Sequence, residues 1–416
     1  MVVKPIAILK NSLFFVILAL FYLDIPLVLD KARIPNISFF VGIISVFVVS
    51  KISFTKSSIR PILLFIIVAL SSATLSQLVM GGEGRGIALL TLCYSITLGY
   101  LLYCIYQHYE ISNLVFLYFL FFLLLGGILE INFDLVKAIS DDFGQLMHPN
   151  FYTSDVRDIS MVGSVRPKFF SSEPSHFAKF YVLMLICWYV SSSNPKKSLI
   201  AYFLAIIGFL LNPTGITTVC FLIILALQFL SMKSIGKRIA FLVLFIPTIS
   251  VFLFPVIYSL LGDRINSMAK MEDISFTIRL ILPAYLAIEA LSNNILLGVG
   301  FGGRRILEDA YAHFFIGVDT AGINFLDLFD SKFNNVFWEF IINFGLLFIG
   351  FGLYFLCQIL KNQGCNRNQI AKFLIVIIVM SNTFGGIALP RFWGYFFLIL
   401  AAINYQNKAR KIFLRS

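Results

Sequence analysis

Residues 198–231 read SLIAYFLAIIGFLLNPTGITTVCFLIILALQFLS, in which the polar turn Asn212-Pro213-Thr214-Gly215 separates two apolar runs. A helix crosses a bilayer with about 20 apolar residues, so the stretch is too long for one span. Asn-Pro followed by Gly is a strong turn signal. We therefore predict a short helix over 198–211 and a second, antiparallel helix over 215–231. The alternative is one kinked helix, which would reverse the sidedness of every later segment.

The composition of the whole chain has the same apolar character. Hydrophobic residues make up 59% of the chain, charged residues make up 13%, and the mean hydropathy is +0.91. Soluble domains carry about 25% charged residues. A soluble fold cannot bury this much apolar surface, whereas a bilayer removes the need to do so. The composition predicts an all-α polytopic membrane protein, with residues 1–416 as a single integral membrane domain.

Apolar runs long enough to cross a bilayer recur along the chain. We predict about 12 transmembrane helices. They lie near 11–29, 36–50, 61–80, 87–106, 112–131, 174–192, 198–211, 215–231, 238–261, 334–360, 370–389 and 391–406. The first run follows Lys4 and Lys10, and no small-residue cleavage site comes after it. We therefore interpret it as a retained span and not as a signal peptide.

Lysine and arginine are distributed unequally between the two sets of loops. With a turn at 212–215, one side carries Lys4, Lys10, Lys51, Lys56, Arg60, Lys196, Lys197, Lys233, Lys237, Arg238, Lys361, Arg367, Lys372, Lys408, Arg410, Lys411 and Arg415. The short loops opposite carry Lys31, Arg33, Arg85 and Arg391. Basic loops stay in the cytoplasm, so both termini are predicted to be cytoplasmic. The kinked-helix alternative is rejected because it would place the basic loop 233–238 outside.

Two long hydrophilic loops, 132–173 and 262–333, are then predicted to share the non-cytoplasmic face. The second contains an apolar, partly amphipathic stretch at 275–298 that Pro283 and Asn293-Asn294 interrupt. We predict that this stretch lies in or near the membrane interface instead of crossing the bilayer. The absence of an internal repeat argues against a transporter built from two related halves.

The first loop ends in RPKFFSSEPSHFA, residues 166–178. Ser172-Glu173-Pro174 has the form of a helix start, with a capping side chain and proline in the first turn. Glu173 either serves only that start, where its charge complements the helix dipole, or takes part in chemistry. Arg166 and Lys168 stand beside a helix N-terminus that already favours anions. Together they predict an anion site suited to a lipid-linked phosphate.

The second loop carries further cations. Arg279 lies within an apolar run, where it either extends to lipid headgroups or binds pyrophosphate as a bidentate donor. The segment 298–303, GVGFGG, precedes Arg304 and Arg305. Because no strand precedes this segment, we interpret it as a tight turn that carries substrate and not as a nucleotide fingerprint. The pair Asn334-Asn335 opens the next span and is either interfacial or substrate-binding.

No pattern typical of a metal or redox site occurs. The six Cys form no CxxC pair, and the four His have no ligand spacing. The pair Asp141-Asp142 fits a turn. We expect neither metal nor cofactor. The net charge of +11 is explained by the cytoplasmic loops, and no basic run is long enough to predict a nucleic-acid-binding arm.

Four blocks resemble the bacterial O-antigen polymerase (Wzy) and O-antigen ligase superfamily. They are 166–178, 212–215, Arg279 through Gly302, and Asn334-Asn335 with Gly345. The first is similar to the family's "Arg, aromatic, Glu-Pro-Ser, small" junction, and the third to its "Arg … Gly-x-Gly-x-Gly" loop. Ligases carry His at the place of Asn334, so the fourth block favours a polymerase over a ligase.

The resemblance implies a GT-C-like glycosyltransferase of the bacterial inner membrane. Such an enzyme joins undecaprenyl-pyrophosphate-linked repeat units of lipopolysaccharide O-antigen at the periplasmic face, and a separate protein regulates chain length. Departure of pyrophosphate requires stabilisation of its charge. We therefore expect Arg166 and Arg279 to bind pyrophosphate, with Glu173 as base or orienting group. The residues expected to contact the lipid-linked oligosaccharide are Lys168, Ser172, Arg304, Arg305, Asn334 and Asn335.

Two alternatives to a polymerase are an O-antigen ligase and a lipid-linked oligosaccharide flippase. A flippase predicts ionisable residues that line the interior of the bundle. Most charges of this chain lie in loops, and Lys179 and Glu339 are predicted near helix ends. A flippase also has no need of long outward loops.

Overall fold

The structure is a computed structural model of the chain. It describes residues 5–29, 32–34, 36–50, 56–80, 85–148, 152–153, 155, 158–159, 163–232, 234–241, 243, 258, 262, 266, 276–315, 335–383 and 385–413. This described part is helical apart from one small hairpin. The predicted all-α class is therefore confirmed.

The first half of the chain contains six helices among the described residues and the hairpin. They are α1 (Pro5–Leu23), β1 (Leu27–Leu29), β2 (Ala32–Ile34), α2 (Ile37–Ser50), α3 (Lys56–Met80), α4 (Arg85–Tyr109), α5 (Leu114–Asn132) and α6 (Asp134–Met147). The two strands are antiparallel. Helix α6 lies within the predicted first loop, so that loop is partly helical.

The second half is also helical where the structure describes it. Its helices are α7 (Pro174–Ser191), α8 (Lys197–Leu211), α9 (Gly215–Ser231), α10 (Ile235–Ala240), α11 (Leu282–Asn293), α12 (Glu308–Phe314), α13 (Val336–Asn362), α14 (Arg367–Ser381) and α15 (Pro390–Phe413). A π-helical turn, Thr277–Ile281, precedes α11, and a 3₁₀ turn, Arg304–Leu307, precedes α12.

The predicted division at 212–215 is confirmed, because α8 ends at Leu211 and α9 begins at Gly215. Thr214 is the N-cap of α9, and its hydroxyl accepts a hydrogen bond from the backbone N–H of Thr217. The Thr217 hydroxyl in turn bonds the Thr214 backbone N–H at 3.0 Å. This reciprocal capping box satisfies donors that a helix start leaves without partners.

Three helices among the described residues are long and apolar enough to cross a membrane. They are Gly86–Tyr109, Leu114–Asn132 and Val336–Asn362. Shorter apolar helices cover Ile8–Leu23, Ile37–Val48, Leu63–Val79, Lys197–Leu211 and Gly215–Ser231. The predicted span 238–261 lies mostly outside the described residues, as does most of the second loop.

Two sequence-based boundaries were wrong. The span predicted over 370–389 ends as a helix at Ser381. Proline 283 does not interrupt the stretch 275–298, because the described helix continues from the π turn through α11 to Asn293. Pro283 lacks an N–H donor, and its ring clashes with the preceding turn of a regular α-helix. The wider π turn just before it accommodates both effects.

Helix α7 is the centre of the bundle, and nearly all of its residues are buried. It packs against α5, α8, α9 and α15. The ring of Phe180 contacts the rings of Phe21, Tyr22, Phe119 and Tyr395. Each such aromatic pair adds about 0.5–1.5 kcal/mol beyond the burial of its area. These contacts fix the starts of α7 and α15 beside the end of α1.

Helix α13 is broken at Gly345, whose backbone has φ 57° and ψ −174°. The N–H groups of Leu346 and Leu347 donate across the break to the carbonyls of Ile295 and Leu296, at 3.0 and 3.2 Å. A Cβ on Gly345 would lie 2.4 Å from the Leu296 oxygen. At the break, a segment of the second loop therefore lies against α13. Its carbonyl groups accept hydrogen bonds from the helix N–H groups there.

The predicted tight turn at 298–303 is confirmed, since Gly298, Gly300 and Gly302 all have positive φ. A Cβ on Gly298 would lie 2.3 Å from the backbone oxygen of Ile342. The next residue, Val299, donates its N–H to that same oxygen at 2.8 Å. Here glycine is required by close contact between two backbones.

Candidate active site

Six charged or titratable side chains gather where α1 ends and where α7 and α15 begin. We call them the charged cluster: Asp24, Glu173, His176, Lys179, Arg279 and Arg391. Asp24 follows the last residue of α1, and Arg391 is the second residue of α15. The aromatic packing around Phe180 brings these helix ends together.

Arg391 joins two parts of the cluster. Its guanidinium forms an ion pair with the carboxylate of Asp24 and also contacts the imidazole ring of His176. His176 Nδ1 lies 2.5 Å from Ser172 Oγ, and His176 Nε2 lies 3.1 Å from Glu173 Oε1. The side chains of His176 and Glu173 are 22% and 30% exposed, so neither is fully buried.

Glu173 is the N-cap residue of α7 and Pro174 is the first helical residue, which confirms the predicted helix start. The side chain of Glu173 makes no capping hydrogen bond; it accepts one from the hydroxyl of Ser175 instead. Burial by itself raises the pKa of the Glu173 carboxyl. Against burial, the positive charge that His176 carries when protonated, the charges of Lys179 and Arg279, and the hydrogen bond from Ser175 hold this pKa below its ordinary value. Glu173 is therefore an anion of low basicity.

The segment that carries Arg279 is fixed by Asn335. The Asn335 side-chain amide donates to the backbone oxygen of Arg279 at 3.0 Å and lies 3.3 Å from Asn382 Oδ1. Its side-chain oxygen accepts from the N–H of Trp338 and so caps α13. Asn335 is fully buried, and its side-chain amide and oxygen form hydrogen bonds within the fold. The block that contains Asn335 thus positions Arg279.

Arg166 and Lys168 occupy a different setting, in which each cation has a carboxylate. We call this set the loop clamp: Lys137, Asp141, Asp155, Asp158, Arg166 and Lys168. Arg166 lies 2.5 Å from Asp158, and the two side chains are 11% and 1% exposed. Lys168 Nζ lies 2.8 Å from Asp141 Oδ1 and is also buried. The predicted anion-binding residues of the first loop are therefore paired within the protein.

The third ion pair of the loop clamp is nearer the surface. Lys137 Nζ lies 2.6 Å from Asp155 Oδ2, and both side chains are about one-third exposed. The hydrogen bond to Asp155 raises the pKa of Lys137. Two of the three pairs tie the first loop to α6, through Lys137 and Asp141, and the Arg166–Asp158 pair joins two parts of the loop itself.

Glu130, near the end of α5, holds the backbone of the loop clamp. Its carboxylate accepts the backbone N–H groups of Lys168 and Phe169 at 2.8 and 2.6 Å. Phe169 and Phe170 both have positive φ, a conformation that costs non-glycine residues of order 1–3 kcal/mol each. Glu130 and the aromatic packing of Phe169 on Gly126 hold the chain in this conformation.

Asn212 connects the turn between α8 and α9 to the start of α7. Its side-chain amide donates to the backbone oxygens of Pro167 and Pro174, at 3.3 and 2.9 Å. It is fully buried. The polar turn that divides residues 198–231 thus holds both ends of the segment that contains Lys168 and Glu173.

The remaining predicted site residues divide as follows. Ser172 bonds His176 within the charged cluster. Arg305 is exposed on the 3₁₀ turn, and the structure describes the backbone of Arg304 but not its side chain. Asn334 lies outside the described residues. The described part of the chain contains no group of three or more His, Cys, Asp or Glu that could hold a metal ion.

Four residues of the charged cluster were missed by the sequence-based prediction, namely Asp24, His176, Lys179 and Arg391. Arg391 had a usable signal, because it is one of the few basic residues on the side of the membrane that the positive-inside rule leaves poor in charge. His176 had no such signal, because the spacing of the four His fits no metal site and nothing local predicts its contact with Arg391.

No family model matches the chain, and no curated protein matches it significantly. The resemblance to the O-antigen polymerase and ligase superfamily therefore rests on the four sequence blocks alone.

Proposed function

We propose that this chain is a glycosyltransferase of the bacterial inner membrane that polymerises undecaprenyl-pyrophosphate-linked O-antigen repeat units. In this proposal it has about 12 spans and cytoplasmic termini, and both large loops face the periplasm. The observation that carries the proposal is the charged cluster. Asp24, Ser172, Glu173, His176 and Arg391 are joined by contacts although they lie far apart in the sequence, and the charges of Lys179 and Arg279 act on Glu173.

The electrostatics of the charged cluster support an anionic ligand. Among the described residues the cluster contains three cations, Lys179, Arg279 and Arg391, and two carboxylates. The loop clamp, by contrast, balances its cations with carboxylates of its own. Arginine is suited to diphosphate because its planar fork donates two parallel hydrogen bonds to phosphate oxygens. We assign the diphosphate of the lipid-linked donor to Arg279 and Arg391. Lys179 contributes a third positive charge to the cluster.

The proposed reaction is a displacement at the anomeric carbon. A sugar hydroxyl of one lipid-linked unit attacks the anomeric carbon of the other glycan and forms the new C–O bond. The bond from that carbon to the diphosphate oxygen breaks, and its electron pair leaves with undecaprenyl pyrophosphate. Preorganised donors at such a developing charge are worth about 2.7–4 kcal/mol each. The proton of the attacking hydroxyl passes to a base of the cluster.

His176 is the second candidate base. Glu173 has a lowered pKa because cations surround it, so it accepts a proton poorly. The imidazole of His176 lies between the Ser172 hydroxyl, the Glu173 carboxylate and Arg391. Its position lets Glu173 orient the ring and stabilise the imidazolium that forms. In this assignment Glu173 keeps the orienting role and Arg166 positions the loop.

The flippase alternative receives less support. Glu130, Lys179 and Glu339 are ionisable residues within helices, and each lies within about two turns of a helix end. The Glu339 carboxylate accepts the backbone N–H of Ile387 at 2.5 Å, which is a structural role. A polar pathway through a bundle requires ionisable groups at intermediate depth.

A deletion strain tests the proposal through the lipopolysaccharide that it makes. Loss of a polymerase leaves core with one repeat unit, loss of a ligase leaves unsubstituted core, and loss of a flippase leaves lipid-linked units inside the cell. We expect the first pattern, and we expect wild-type protein to restore the ladder of long chains. At equal membrane levels, Arg279→Ala and Arg391→Ala should fail to restore it. Lys196→Ala, which removes an exposed cation outside both clusters, should restore it. Full ladders with both arginine variants would contradict the proposal.

A further inference from the structure

Helix α6 has an exposed apolar ridge that nothing in the described part of the protein covers. Leu135, Ile139 and Leu146 are 73%, 51% and 78% exposed. At about 100° per residue these three positions fall within an arc of about 40° on the helix. Soluble helices turn polar residues toward water at such positions.

The side of α6 next to this ridge is fixed against the protein. Ser140 and Gly144 are buried, and the Ser140 hydroxyl accepts the backbone N–H of Phe170 at 2.8 Å. Asp141 pairs with Lys168 of the loop clamp at 2.8 Å. These contacts prevent the helix from rotating to hide its apolar ridge.

The side of α6 beyond the ridge is polar and exposed. Asp134, Ala138, Asp142 and Gln145 occupy it, and all four are exposed. The helix therefore presents a protein-facing side, an apolar ridge and a water-facing side in succession. A helix that lies in the plane of a membrane surface has this arrangement.

The apolar ridge continues the exposed apolar surface of α5. Leu125, Ile128 and Ile131 of α5 are 60%, 44% and 47% exposed, on a helix long and apolar enough to cross a membrane. A single extended residue, Phe133, joins α5 to α6, and it is 56% exposed. The chain thus turns at the point where α5 leaves the bilayer.

We propose that α6 lies in the membrane–water interface, with its apolar ridge inserted among the lipids of the leaflet where α5 ends. The partner is a zwitterionic lipid surface, because Asp134 and Asp142 beside the ridge give no attraction to anionic headgroups. Since Lys137 and Asp141 of α6 belong to the loop clamp, the membrane surface sets the distance between the first loop and the bilayer. This inference rests on membrane insertion of α5 and not on the proposed glycosyltransferase activity.

Paired cysteine variants test the position of the ridge in vesicles of phosphatidylcholine alone. Ile139→Cys and Leu146→Cys place a thiol on the ridge, whereas Ala138→Cys and Gln145→Cys place one at the same height on the water-facing side. The wild-type protein measures the background from its own cysteines. One portion of each variant is labelled with bimane and mixed with nitroxide-labelled phosphatidylcholine, and another reacts with a charged maleimide.

We expect nitroxide lipids to quench bimane on the ridge roughly twofold or more strongly than on the water-facing side, because helix neighbours point about 100° apart. We expect the charged maleimide to react about tenfold or more slowly on the ridge, because charged groups enter the apolar part of a bilayer only at a cost in free energy. Equal quenching and equal reactivity would show a ridge in water and overturn the proposal. Slow reaction without quenching would show a protein partner, which would also overturn it.

Discussion

The loop clamp and the charged cluster both bring acidic and basic side chains to the start of α7, yet they are organised differently. In the loop clamp three carboxylates match three cations, as Asp158 pairs with Arg166 and Asp141 with Lys168. In the charged cluster the groups share contacts, and His176 touches Glu173, Ser172 and Arg391 at once. Cations outnumber carboxylates there among the described residues.

The difference separates a structural use of charge from a chemical one. A buried ion pair that satisfies itself has no free charge for a ligand, and its loss leaves an uncompensated partner. A partly exposed cluster with an excess of one sign draws in an ion of the opposite sign and gains energy when that ion arrives. The loop clamp thus shapes the loop, and the charged cluster is available to substrate.

The largest expected effect is on stability, at the loop clamp. Arg166→Ala leaves Asp158 buried without its cation, and breaking such a pair costs about 3–5 kcal/mol. The double variant Arg166→Met with Asp158→Leu removes both charges and should lose much less. Thermal unfolding in detergent measures both. Equal losses in the single and double variants would show that the pair is not the source of the stability.

The next effect is on activity, at the charged cluster. Arg279→Ala and Arg391→Ala should lower the rate of polymer formation by about 10²–10³-fold, because each removes a donor to the developing diphosphate charge. Arg391→Lys should recover part of the rate, since it keeps the charge but not the planar fork. Polymer formed per unit of folded protein is the measure. Unchanged rates with both alanine variants would remove the distinction between the two regions.

A smaller effect is expected at the break in α13, which holds the segment of Arg279. Gly345→Ala adds a Cβ where φ is positive and where the Leu296 oxygen lies 2.4 Å away, so we expect a loss of about 1–3 kcal/mol. Gly350→Ala in the same helix meets nothing within 4 Å and should change stability little. Thermal unfolding compares the two variants, and equal losses would mean that the break is not required.

The smallest effect concerns pH. The folded-state pKa of Glu173 lies below its unfolded value of about 4.3, so its contribution to stability is present above that pH and is lost as pH falls through the folded pKa. The difference in melting temperature between wild type and Glu173→Gln should therefore stay constant from about pH 7 to about pH 5.5. A difference that shrinks within this range would indicate a raised pKa and return Glu173 to the role of base.

Helix positions were predictable because hydropathy and turn residues act locally. The division at Asn212–Gly215 and the start of α7 at Pro174 both follow from residues within a few positions of the boundary. The early end of α14 at Ser381 also had a local signal, because Asn382, Thr383 and the pair Gly385-Gly386 follow it, and the span predicted over 370–389 ran through them.

The charged partners were not predictable, because they depend on contacts between distant segments. The sequence placed Arg166 and Lys168 beside a helix start, but nothing local indicated that Asp158 and Asp141 would neutralise them. In the sequence, Gly298 and Gly345 were visible only as two separate glycines. Only the fold shows that these two glycines meet, backbone against backbone, in the broken helix.

The central claim is that the charged cluster, and not the loop clamp, receives the leaving diphosphate. The most direct test compares polymer formation by Arg279→Ala with that by the double variant Arg166→Met and Asp158→Leu, each normalised to folded protein in the membrane. We predict that Arg279→Ala yields core with a single repeat unit and that the double variant yields the full ladder. A full ladder from Arg279→Ala together with a single repeat unit from the folded double variant would contradict the account and assign the diphosphate to Arg166.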